Sequence, residues 1–96
     1  MSPTNKKKLD LLRIKLDKLD TELLILIKKR SNLVNEVLKV KSKKKEIIDQ
    51  KRIGFILNKI KKKSIQLNID PKITNRIWKN MIWAFIDYEK RNFKKK

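Results

Sequence analysis

The stretch "LLILIKKRSNLVNEVLKVK", residues 23–41, decides the fold, and it contains a contradiction. Its apolar residues keep coiled-coil spacing, and the same frame extends back toward the N-terminus. From Leu9 it runs Leu9, Leu12, Leu16, Leu19, Leu23, Leu26, Arg30, Leu33, Val37 and Val40, in steps that alternate three and four. Arg30 stands where the spacing asks for another leucine. A guanidinium on a buried stripe is costly unless an anion meets it, so the chain must supply that anion or receive it from outside.

Between Lys6 and Ser42 there is no Gly or Pro. The spacing therefore predicts one helix of about 36 residues, roughly 54 Å long. A compact chain of this size has a radius of gyration of only about 12–13 Å, so such a helix must overhang its own globule. Its uncovered apolar half needs a second chain, and an intertwined homodimer is the expected arrangement; a monomeric helical hairpin with a kink is the alternative. After the polar connection "SKKKEII", residues Ile47, Ile48, Ile53, Ile56, Leu57 and Ile60 repeat at helical spacing to about Ser64. Gly54 lies inside this second helix, where it permits close packing, leaves space for a ligand or is simply tolerated. "LNIDPK" then gives a helix start, with Asp70 as N-cap and Pro71 at the first helical position. The third helix carries Ile73, Ile77, Trp78, Met81, Ile82, Phe85 and Ile86 and fades at Arg91–Phe93. The class is all-α, with three helices per chain and a very long first one. A single domain over 1–96 is expected, with flexible basic ends at about 1–8 and 92–96.

The composition narrows the chemistry. With 96 residues, no Cys and no His, the chain has no disulfide framework and no Ser/His/Asp or Cys/His nucleophile, and it lacks the usual zinc ligands. Catalysis through a metal or cofactor is not expected. No apolar run approaches the roughly 18 residues of a membrane span, and "MSPTNKKK" has no apolar core behind its lysines. A soluble, unprocessed cytoplasmic chain is the expectation. The net charge of +18 invites nucleic acid as a partner. Yet 23 of the 28 basic residues are Lys in a chain that also holds 14 Ile and 8 Asn, the usage expected of an AT-rich coding sequence. The lysine runs read as solvated faces, and the five arginines carry the information.

At 100° per residue, Arg30 and Lys41 lie within about 20° of each other and about 16 Å apart along the helix axis. Long side chains converge from that separation. Arg13, 17 residues before Arg30, is turned about 100° away and displaced about 25 Å, so it cannot share their pocket within one chain; across a dimer it can reach the partner's. Asp49 and Arg52 share a face at i, i+3, the spacing of a surface pair as well as of a site. Inward cations on a bundle poor in acids describe a pocket for a small dianion. Arginine suits it because its planar fork grips a carboxylate bidentately and keeps its charge when desolvated.

From about Leu9 to Phe93 the chain resembles the all-helical, AroQ-class chorismate mutases. The carrying residues are "LLRIKLDKLDTELLILIKKRSNLVNEVLKVK", with Arg13, Arg30 and Lys41 at the family's spacing, then "DQKR" and a third helix ending in a polar residue. The resemblance implies an intertwined dimer with two identical sites, the first helix of each protomer lending Arg13 to the other. It implies a pericyclic rearrangement of chorismate to prephenate, in phenylalanine and tyrosine biosynthesis, that needs no nucleophile, base, metal or cofactor. Arg30 and the partner's Arg13 would clamp the carboxylates, Lys41 would donate to the ether oxygen, and Arg52 with Asp49 would order the site. Glu89 stands where many members have a glutamine beside that oxygen, as in fungal members. It donates only when protonated, so activity is expected to decline as pH rises.

Two positions depart from the family. Ile53 replaces the glutamate that binds the ring hydroxyl in many bacterial members, and Phe85 replaces a serine near one carboxylate. Isochorismate-pyruvate lyases share the fold and the same kind of apolar and aromatic substitutions, so such a lyase, or another chorismate-using relative, is the alternative. A non-catalytic basic helical dimer binding nucleic acid, or a plain dimerisation module, is the alternative of another class. No helix-turn-helix glycine turn or basic-aromatic platform supports the former, and a module leaves Arg30 without a purpose.

Overall fold

The computed structural model describes residues 1–94, which form three α-helices and one 3-10 turn: α1 (Pro3–Val40), the turn Lys44–Glu46, α2 (Gln50–Gln66) and α3 (Pro71–Asn92). The basic C-terminal end expected at 92–96 falls partly on residues 95 and 96, outside the described residues. The chain divides into two compact units, Met1–Leu33 and Val34–Lys96.

The first unit is the N-terminal part of α1. It starts three residues earlier than the spacing suggests because Ser2 caps it: the Ser2 hydroxyl accepts from the Asn5 amide at 3.1 Å, and Pro3 supplies a pre-set first helical residue. No residue of α1 is buried. The seam leucines Leu12, Leu16, Leu19, Leu23 and Leu26 are 53–58 % exposed. At "LLILI", residues 23–27, the helix is apolar on every side, the signature of a helix that expects cover all round.

The second unit begins with the last turns of α1. The helix stops at Val40 rather than Ser42, with the Lys41 amide closing a tight final turn onto the Leu38 carbonyl at 3.3 Å. Chain direction then changes through extended Lys43 and the 3-10 turn. The second helix starts at Gln50, not at Ile47, because the Asp49 carboxylate caps it by accepting from the Arg52 amide at 3.0 Å. Ile47 and Ile48, freed from the helix, turn into the core instead: Ile47 is 3 % exposed and sits with Ile82 and Ile86, while Leu38, Ile48, Ile53, Ile56, Leu57 and Phe93 pack around them. Each of the three buried isoleucines contributes roughly 1.5–3 kcal/mol, and the partly buried residues around them less.

At the end of α2, Asn68 adopts the left-handed conformation (φ 57°). The Ile69 amide then reaches the Ser64 carbonyl at 2.8 Å and the Asn68 amide the Ile65 carbonyl at 3.1 Å, which gives two carbonyls of the last turn of α2 a partner. Asp70 caps α3 through the Lys72 amide at 2.9 Å, with Pro71 first in the helix, as the sequence predicts. One hydroxyl pair crosses between α2 and α3, Ser64 Oγ to Thr74 Oγ1 at 2.7 Å, with both residues buried. Trp78 is half-buried as expected of a packing residue, but Ile73, Ile77 and Trp83 are exposed, so α3 turns only part of its apolar face inward. A Cβ placed on Gly54 meets nothing within 4 Å, so close packing within the chain is not the reason for this glycine.

Candidate active site

Two candidate residues belong to the first unit. Arg13 is exposed on α1, while Arg30 is half-buried and its Nη1 nitrogen is shut off from solvent. On the same helix, 17 residues set their backbones about 25 Å apart, so they cannot serve one pocket of one chain.

The second unit holds the chemistry-bearing pair. Lys41, the first residue past α1, places its Nζ 3.5 Å from Glu89 Oε2, and their side chains are only 18 % and 8 % exposed. In a chain whose other lysines lie mostly in water, an ammonium and a carboxylate withdrawn together are expensive to keep. Desolvating both costs several kcal/mol, which the mutual attraction barely repays, so such a pair speaks for a purpose other than stability. One residue before Glu89 on α3 and six before Lys41 on α1, the Tyr88 hydroxyl donates to Asn35 Oδ1 at 2.9 Å, tying α3 to the end of α1. That bond fixes the two backbones that carry Glu89 and Lys41. Neither Asn35 nor Tyr88 follows from the heptad pattern; the nearest signal is that Tyr88 directly precedes Glu89 in the polar last turns of α3.

The remaining candidates sit around α2 and α3. Asp49 does not simply pair with Arg52 at the surface. Its carboxylate caps α2 through the Arg52 amide, and the Arg52 guanidinium lies over the Phe55 ring, 5.4 Å from the centroid. Ile53 is half-buried against the Ile47–Ile82–Ile86 core, so its place in the helix offers an apolar surface and no hydroxyl acceptor. Phe85 is half-buried on α3. A depression of about 390 Å³ lies elsewhere, between Leu57, Asn58, Lys61, Pro71, Lys72 and Asn75. It is wide open and contains none of the candidate residues, so withdrawn opposite charges at Lys41 and Glu89 are the better guide to chemistry than surface shape.

What this arrangement can do is limited and specific. An ammonium beside a carboxyl group can donate to, or balance charge on, an oxygen placed between them. An ammonium has no free electron pair with which to attack. Among the described residues no group of three or more His, Cys, Asp or Glu is placed to hold a metal ion, and no helix is long and apolar enough to cross a membrane.

The family described as chorismate mutase type II matches residues 12–90. No curated protein and no solved structure matches the chain at a significant level.

Proposed function

The chain belongs to the chorismate mutase type II family, and from that membership we propose that it rearranges chorismate to prephenate. The observation that supports this reading best is the withdrawn Lys41–Glu89 pair, 3.5 Å apart. In the rearrangement an ether bond breaks while a carbon–carbon bond forms, and negative charge grows on the ether oxygen. The protein's part is to hold a dianion in a compact, chair-like conformer and to meet that charge with donors already in place. Lys41 Nζ is one such donor, and the Glu89 carboxylate beside it holds that ammonium in place. Arg30 takes one carboxylate of the substrate, and Arg13 of the partner subunit takes the other. Arg52, leaving Phe55, and Asp49, holding the start of α2, order the site's edge.

The same reading makes the active species an intertwined homodimer. What supports it is the 38-residue α1 without a single buried residue and its exposed leucine seam. A second copy laid along that seam covers it and brings Arg13 to the other site.

Ile53 favours one other reading. Its side chain is committed to the core, so a ring hydroxyl finds no carboxylate at this position. An isochorismate-pyruvate lyase, which performs a related pericyclic elimination, tolerates that better.

The test is to incubate the purified chain separately with chorismate and isochorismate and to identify the products, with Arg30→Ala as control. Prephenate from chorismate, reduced about 10²–10³-fold in Arg30→Ala, is the expected result. Pyruvate and salicylate from isochorismate alone would establish the lyase, and no turnover of either would end the enzymatic reading. For the mutase, Glu89→Gln should raise kcat/KM, because an amide donates where a carboxylate only accepts. An unchanged kcat/KM would remove Glu89 from the site.

A further inference from the structure

Lys41 stands at the head of a short and unfavourable piece of chain. It leaves the end of α1 and is followed by "SKKKE", in which three adjacent lysines repel one another. Apolar anchors stand on either side: Leu38 packs against the core before it, and Ile47 is buried after it. Between them the turn is gathered on a carboxylate. Glu46 Oε1 accepts from the Ser42 hydroxyl at 3.0 Å and from the Lys43 amide at 2.9 Å. The backbone closes over the same residues, with the Glu46 amide donating to the Lys43 carbonyl at 3.0 Å and the Ile47 amide to the Lys44 carbonyl at 3.1 Å. Glu46 is also the sole acid in the sequence between Glu36 and Asp49. Its side chain is in water, so the core does not depend on it.

We propose that Glu46 is a positioning residue: by clasping Ser42 and Lys43 it sets where the Lys41 ammonium lies against Glu89. This rests on the reading that Lys41 donates to the ether oxygen. A donor meant for a transition state loses most of its value when displaced by an ångström or so, whereas substrate affinity, held by the arginines, is touched less. The clasp therefore acts on turnover. Without it, Ser42 and Lys43 lose their shared acceptor, the three lysines splay, and the Lys41 backbone loses its restraint on the C-terminal side.

Glu46→Ala and Glu46→Gln test this. In Glu46→Ala, kcat should fall about tenfold with KM within about twofold of the parent and little change in melting temperature. Glu46→Gln keeps an oxygen that can accept both bonds and should recover most of the loss. The second readout is the Lys41 side-chain Cε–Nζ resonance of the unliganded protein, assigned with Lys41→Arg. It should move in Glu46→Ala and stay near its parental position in Glu46→Gln. Parental turnover and an unmoved Lys41 resonance in Glu46→Ala would overturn the proposal. So would a loss that Gln does not recover and that follows a lower melting temperature, since that is a folding defect. If the parent chain itself fails to rearrange chorismate, the mutase reading falls, and the Lys41 resonance alone decides whether Glu46 places that side chain.

Discussion

Leu19 on α1 and Ile86 on α3 are both apolar residues at helical spacing, yet Leu19 is 53 % exposed and Ile86 is 5 % exposed. The difference lies in their neighbours. Ile86 belongs to a unit in which α2, α3 and the end of α1 meet around Ile47. Leu19 belongs to a unit that is one stretch of helix and nothing more. An amphipathic pattern thus states that a face is to be covered without stating by what. The period of the pattern adds a hint: α1 keeps a strict three-four alternation, which suits a partner helix lying along it, whereas the α2 and α3 patterns suit short helices packed within one globule.

Breaking the seam tests this contrast most severely. Leu19→Glu places a charge twice in any dimer interface that includes it and should weaken self-association on the order of a thousandfold, with loss of activity. Sedimentation velocity over a concentration series reads this, and an unchanged profile would remove the seam from any interface. On the other side, Ile86→Ala should leave self-association in place but cost about 2–4 kcal/mol in urea unfolding. A drop in association instead would merge the two regions into one cooperative body. The smallest effect concerns the turn Lys44–Glu46 within the second unit. The Ser42 hydroxyl, and then the Lys43 amide, hold the Glu46 carboxyl below its usual range. The folded turn therefore takes up a proton less readily than the unfolded chain. Its contribution is present at neutral pH and is lost as pH falls through the lowered folded-state value. The Lys43 amide proton should follow that titration in NMR spectra, and Glu46→Gln should abolish it.

What could be read from the sequence divides along similar physical lines. Asp70 and Pro71 were legible because a cap depends on residues within one turn of each other. The third helix and the all-α class followed from the same local rules. The ends of α1 and α2 shifted by two or three residues, because capping at Ser2 and Asp49 and the burial of Ile47 compete with plain periodicity. Arg30 and Lys41 stood out through spacing. The conjunction of Lys41 with Glu89 came only through family resemblance, since a pair 48 residues apart in sequence leaves no local trace. The Asn35–Tyr88 bond, the Ser64–Thr74 pair and the Asn68 turn were missed for related reasons. The first two are tertiary contacts between common polar residues. The third is a left-handed position filled by Asn, where glycine would have been the clearer sign.

The bare flank of α1 also has a consequence in time and abundance. In the proposed homodimer that flank finds its cover on a second copy, so the chain would mature by a second-order reaction and newly made copies would be vulnerable for a period that shortens as their number rises. On that proposal, sparse expression would lower the proposed activity per copy as well as the number of copies, and the dose response would be steeper than linear.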